Sequence, residues 1–219
     1  MTEQPPEVPS DVAEELLGLL ACGEVFGFHT LADASARSSD ISQAVRLMEM
    51  AVQHYDAYVR TRQRLLDGGA DADAVIASHA EPLAAYFGRT RSADEFQALV
   101  KAYVGNGIAA DFVREMSAVL DEDTRDFVHD VLSAPRTDEI VVPRLRAVIA
   151  RDQAKAGPLA LWGRRLMGEA LSQAQRVAAD RPELVALIVG KADLAGFQQM
   201  MARMTTSHSE RMQALGLYA

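Results

Sequence analysis

Apolar residues along this chain recur three and four positions apart far more often than they alternate, which is the pattern of helices that each bury one face. Ser10 or Asp11 can cap a first helix from Val12 to about Ala34, with Val12, Leu16, Leu19 and Leu20 at helical spacing. Ser38-Ser39-Asp40 opens a second, carried by Val45, Leu47, Met48, Ala51, Tyr55 and Tyr58 to a stop at Gly68-Gly69. A shorter helix from Ala72 to Phe87 is interrupted near Pro82. Ser92 to Glu95 starts a third long helix, with Leu99, Val100, Tyr103, Val104, Ile108, Phe112 and Met116 mainly on one side, ending before Asp121. A fourth begins at Thr124, breaks at Pro135 and resumes from Ile140 to Ala150, because proline lacks a backbone donor and clashes with the preceding turn. Gly157-Pro158 starts a fifth to about Ala179, and Asp193 to Leu215 makes a last one. The one strand-like run, Leu184 to Val189, has helical flanks and reads as a turn of helix. The pattern predicts an all-α bundle with additional C-terminal helices: a flexible tail at 1–10 and a single domain from 11 to 219.

Three polar residues fall on the apolar faces. Glu24 shares its face with Leu17, Leu20, Ala21, Gly27 and Phe28, an expensive place for a lone charge. His54 does the same among Leu47, Met50, Ala51, Ala57 and Tyr58, and Asn106 among Leu99, Ala102, Tyr103, Ala109 and Ala110. The three are expected to converge between helices, either as groups satisfied by one another or by water or as part of a metal-ligand set of the kind helix bundles carry.

Charge and cysteine usage narrow the partners. Lys and Arg number 22 against 31 Asp and Glu, a formal charge of -9 that repels phosphate backbones. The densest basic run, Arg60, Arg62 and Arg64, is short and spread around one helix, so broad nucleic-acid binding and tight tRNA binding are not expected. Cys22 is the single cysteine, which excludes an internal disulfide and a cysteine metal cluster. The acidic, Pro-rich start does not read as a signal peptide, and no apolar run reaches the ~18 residues of a bilayer span. The expectation is a soluble, cytoplasmic protein without a membrane partner, for which a homodimer is a compatible assembly.

Gly23-Glu24-Val25, LVKAYVGNGIAADFVREM from Leu99, LALWGRRLMGEALSQAQRV from Leu159 and SERMQALGL from Ser209 resemble the MiaE-like, ferritin-like family over nearly the whole chain after the tail. The resemblance implies a ferritin-like four-helix bundle and descent from a non-heme di-iron hydroxylase whose better-known relatives oxidise an isopentenyl-adenosine in tRNA. It also assigns Glu24 to the carboxylate ligand of the first helix and His54 to the histidine of the second-helix Glu-x-x-His. The other ligand positions are occupied by Ala51, Asn106, Ala134 and Thr137. A bridged iron pair needs several anionic oxygens and two imidazoles, so no metal cofactor is expected, and iron only in an atypical site.

The leading reading is a former metal cavity, relined by Ala51, Tyr55, Tyr103, Asn106 and Thr137, that binds a small-molecule substrate. Glu24 and His54 would act in it as acid and base for a cyclisation, isomerisation or dehydration. Two alternatives stand beside it: an iron hydroxylase recruiting Glu49 or Asp111, and a non-catalytic binding protein whose cavity is filled by Phe26, Phe28, Tyr55 and Tyr103. Asp126-x-x-His129 is turned ~80° from the lost ligand face and reads as a solvated helix start. His29 lies beside the Glu24 face, Glu169 with Arg165 reads as a helix-surface pair, and Met200, Met201, Met204 and Met212 read as packing.

Overall fold

A three-residue link joins the two longest helices, α1 (Ser10–Arg37) and α2 (Ile41–Asp67), into an antiparallel hairpin, and the next segments of the chain, from residue 72 to residue 117, are laid against α1. The computed structural model describes residues 10–133, 137–180 and 194–218; the proposed kink at Pro135 and the run Leu184 to Val189 lie outside them. Asp40 caps α2 as expected, its Oδ1 accepting from the Ser42 and Gln43 amides at 2.9 and 3.3 Å. At the other end Gly69 takes φ +85°, a left-handed turn that glycine enters without steric cost.

The expected helix from Ala72 to Phe87 is two, α3 (Ala72–Ser78) and α4 (Ala80–Arg89). The break falls at His79, and Pro82 sits in the first turn of α4, where its missing donor has no helical partner to lose. Asp94 then caps α5 (Glu95–Val100), which runs through a wide π-helical turn at Lys101–Gly105 into α6 (Asn106–Ser117). Asp121 caps α7 (Glu122–Val131), and α8 (Asp138–Arg151) continues that side of the bundle with Pro143 inside it. A 3-10 turn at Gln153–Lys155 leads into α9 (Ala156–Asp180), and α10 (Leu194–Ala214) closes the described chain. No strand occurs among the described residues.

One apolar cluster joins α1, α2, α5, α6, α8, α9 and α10 around Leu31, Leu47, Leu99, Leu145, Leu166 and Met212. A second, around Leu16, Leu65, Val113 and Val128, fills the end formed by α1, α2, α3, α6 and α7. Contrary to the sequence expectation, α1 contains a stretch long and apolar enough to cross a membrane by length and composition; 56% of it is buried inside the bundle, where its apolar residues pack.

The third helix of the bundle also carries the outer layer. Trp162 Nε1 of α9 donates to the Gln97 carbonyl at 2.9 Å, and α10 reaches both neighbours through glycines. A Cβ on Gly163 would stand 2.4 Å from Met212 Sδ, and one on Gly107 would stand 2.4 Å from Arg211 Nε. Arg211 lies across Gly107 and donates from Nη2 to Asp111. One turn earlier on α10, His208 is buried with neither ring nitrogen hydrogen-bonded.

Burial, with the Arg211 charge adding to it, holds the His208 imidazole below its ordinary pKa. The folded protein therefore resists a proton that the unfolded chain accepts near pH ~6.5. Stability is expected to fall as pH drops through that value towards the lower folded-state pKa, and His208→Leu should flatten this acid limb, as thermal melts of both proteins between pH 7.5 and 5 will show.

Candidate functional site

Glu24 in the middle of α1 and His54 in the middle of α2 are both 6% exposed and face one another across the hairpin. His54 Nδ1 lies 2.5 Å from Glu24 Oε2, a short contact between a carboxylate and an imidazole N–H. On the other side of the ring, Asn106 Nδ2 stands 3.4 Å from His54 Nε2. With Nδ1–H donated to Glu24, Nε2 carries the lone pair and accepts from the Asn106 amide, which gives every ring nitrogen a partner.

The backbone of α1 makes room for this ring. A Cβ on Gly27 would lie 2.6 Å from both Nδ1 and Cε1 of His54, so only glycine lets the imidazole approach the helix closely enough to reach Glu24, one turn back. Sequence spacing placed Gly27 on the Glu24 face but gave it no role; its signal was a glycine inside a long helix, where it costs about 1 kcal/mol relative to alanine and calls for a packing reason.

The π turn aims Asn106. Its wide register shifts all that follows relative to a regular helix, so Asn106 meets His54 while Ala109, expected on the same buried face, is exposed. The same turn buries Lys101, a residue that periodicity did not single out. Its Nζ donates to the Thr90 carbonyl at the end of α4 at 2.7 Å and sits 4.2 Å from the centre of the Phe87 ring. Burial lowers the amine to about 8. Beside it the Tyr86 hydroxyl is buried without a hydrogen-bond partner, and burial raises its pKa.

The remaining expected residues divide. Ala51 is buried next to His54 on the inner face of α2, and Tyr103 and Asn106 are half-buried on neighbouring turns. Thr137 is half-buried at the start of α8 and makes no hydrogen bond to the pair. Tyr55 is a correction: at 55% exposed it lies on the outer face of α2, because one step along a helix turns it ~100° from His54. His29 is likewise exposed, its edge against Phe26 and Phe28. Glu169 pairs with Arg89 of α4 at 2.8 Å instead of with Arg165. Asp126 and His129 are exposed, and Met204 and Met212 are buried packing residues. Two open grooves, about 290 Å³ between the starts of α2 and α8 and about 410 Å³ between α6 and α10, are lined by neither Glu24 nor His54.

The donor set does not fit a pair of iron ions. Among the described residues no three His, Cys, Asp or Glu side chains come together in a group that could hold a metal ion, and Glu24 and His54 are bonded to each other. Glu49 is exposed, and Asp111 is held by Arg211 and Arg114. A long antiparallel helical hairpin, a third and fourth helix laid against it, and a carboxylate–histidine pair at its centre define a protein of the ferritin-like class. The family model described as "Ferritin-like domain, actinomycetes" matches residues 9–191, and the chain belongs to this family. Comparison with curated proteins gives no match. The matched stretch ends before α10, so the helix seated on Gly107 and Gly163 lies beyond it.

Gly27→Ala is expected to push the imidazole off α1 and to cost roughly 1–3 kcal/mol, the range for overpacking a closed interior. Denaturant unfolding measures the loss, and an added His54→Ala that restores part of it would locate the clash at the ring.

Proposed function

We propose that this ferritin-like protein works without metal, binding a small organic molecule beside His54 and moving a proton with that residue. The observation that supports the reading is the contact of His54 Nδ1 with Glu24 Oε2 at 2.5 Å. A carboxylate fixed on Nδ1–H holds the ring in the tautomer whose Nε2 can accept a proton, and stabilises the imidazolium that results. In this reading the Asn106 amide donates to Nε2 at rest and turns its oxygen towards the ring once Nε2 is protonated. Asn106, whose amide stands 3.4 Å from Nε2, is half-buried, as is Tyr103 three residues before it. A proton moved within a single substrate serves an isomerisation, dehydration or cyclisation, and each balances without an oxidant.

The resemblance to the MiaE-like hydroxylases supports descent from an iron enzyme, with Glu24 and His54 as the surviving ligands. Reuse of the ancestral tRNA substrate is disfavoured by the guanidinium groups of Arg60, Arg62 and Arg64, which are engaged by Asp130, Asp73 and Asp123. The mutual satisfaction of Glu24 and His54 favours a second reading, in which the pair is structural and the protein binds without catalysis.

The two readings separate on thermal stability measured for wild type, Glu24→Gln and His54→Ala with a panel of small carbonyl and hydroxy acids, alcohols and prenyl compounds. A proton-transfer site is expected to give ligand-induced stabilisation of the wild type that both variants lose, with the fold retained. If no compound stabilises the wild type, while each substitution costs the ~3–5 kcal/mol of a broken buried pair, the catalytic reading fails and the structural one stands.

A further inference from the structure

Helix α2 is apolar on two separate faces. Its inner face buries Leu47, Met50, Ala51, His54, Ala57 and Leu65. About 140° around the helix, Ile41, Val45, Met48, Val52, Tyr55, Val59 and Leu66 are 41–79% exposed, and they make up most of the large apolar residues exposed among the described residues; the others are Leu161 and Tyr218. Their spacing is four, three, four, three, four and then seven, with Arg62 at the intermediate step. This is a heptad seam, apolar at every step except Arg62, with β-branched valines alternating with larger side chains. A helix needs one buried face to belong to its bundle; a second, aligned over about 40 Å, has no use in a lone chain.

We propose that this seam is the interface of a homodimer, in which α2 packs antiparallel against α2 of a second copy about a two-fold axis between Val52 and Tyr55. Three features commit the seam to a second copy. First, it is self-complementary: with the axis there, Ile41 meets the other copy's position 66, Met48 meets 59 and Val52 meets 55, and the remaining apolar position, Val45, meets 62. Second, the exposed seam offers on the order of 700 Å² per chain, so pairing two buries about 1,400 Å², within the range of stable dimers. Third, the charge in the seam selects the direction. The Arg62 guanidinium is held by Asp73 of its own chain, Nε to Oδ1 at 2.9 Å and Nη2 to Oδ2 at 3.1 Å, with its carbon stem left along the seam. A parallel pairing would set Arg62 against Arg62, whereas the antiparallel one sets it across Val45.

The dimer does not depend on the proposed chemistry, since the seam and His54 are on opposite faces of α2. Sedimentation of the full chain at 1–50 µM, with circular dichroism as a fold control, tests it. The wild type is expected at twice the 23.8 kDa chain mass. Val52→Asp and Val59→Asp, each at an exposed position, should give monomers of unchanged helicity. A mixture of Ile41→Cys chains with Leu66→Cys chains should form an intermolecular disulfide under mild oxidation; Cys22 is buried, and burial raises its thiol to about 11, which keeps it out of the exchange. A wild type that stays monomeric at 50 µM, a dimer that survives both aspartates, or a dimer without the 41–66 cross-link would overturn the proposal.

Discussion

A carboxylate and an imidazole cannot be left alone inside a helical bundle, and the interior of this protein is arranged around that constraint. Unpaired, either group would bear a desolvation cost of several kcal/mol; paired at 2.5 Å, Glu24 and His54 satisfy each other. Three otherwise unrelated features follow from the pairing. Gly27 leaves out a side chain so that the ring can lie against α1, the π turn rotates Asn106 into reach of the second ring nitrogen, and Ala51 keeps the inner face of α2 small beside the imidazole.

The fold was legible because it rests on periodicity. The caps at Asp40 and Asp94, the two long helices α1 and α2 and the long α9 all follow from apolar spacing and capping residues, and so did the inward direction of Glu24, His54 and Asn106, while α7 starts two residues earlier than Thr124, with Asp121 as its cap. Less legible were features that depend on one residue of register. A π turn differs from an α turn by a single hydrogen-bond step and not by composition, so nothing at Lys101–Gly105 distinguished it, and with it went the burial of Lys101 and the exposure of Ala109. Tyr55 failed for a related reason. On α2 both faces are apolar, and a list of apolar positions does not say which face each belongs to until Leu47, Ala51 and His54 are separated from Val45, Met48, Val52 and Tyr55 by angle.

That double-faced helix ties the interior to the exterior. The segment that positions His54 inside the bundle is the one that presents the heptad seam outside, and α10, beyond the stretch matched by the family, packs on the third helix at Gly107 and on α9 at Gly163. The polar centre therefore lies between the helix that carries this seam and the third helix, which α10 covers at Gly107. In the proposed reading, such bracing would take over the task of fixing Glu24 and His54 that a bound metal performs in an iron enzyme.

The central claim is that Glu24 and His54 are bonded to each other and are not available to iron. Iron content measures this most directly: the purified protein is incubated anaerobically with excess ferrous ion, freed of unbound metal, and analysed for iron per chain. The account predicts no retained iron and an unchanged melting temperature. Retention of close to two irons per chain, with a rise in melting temperature that Glu24→Gln abolishes, would contradict it.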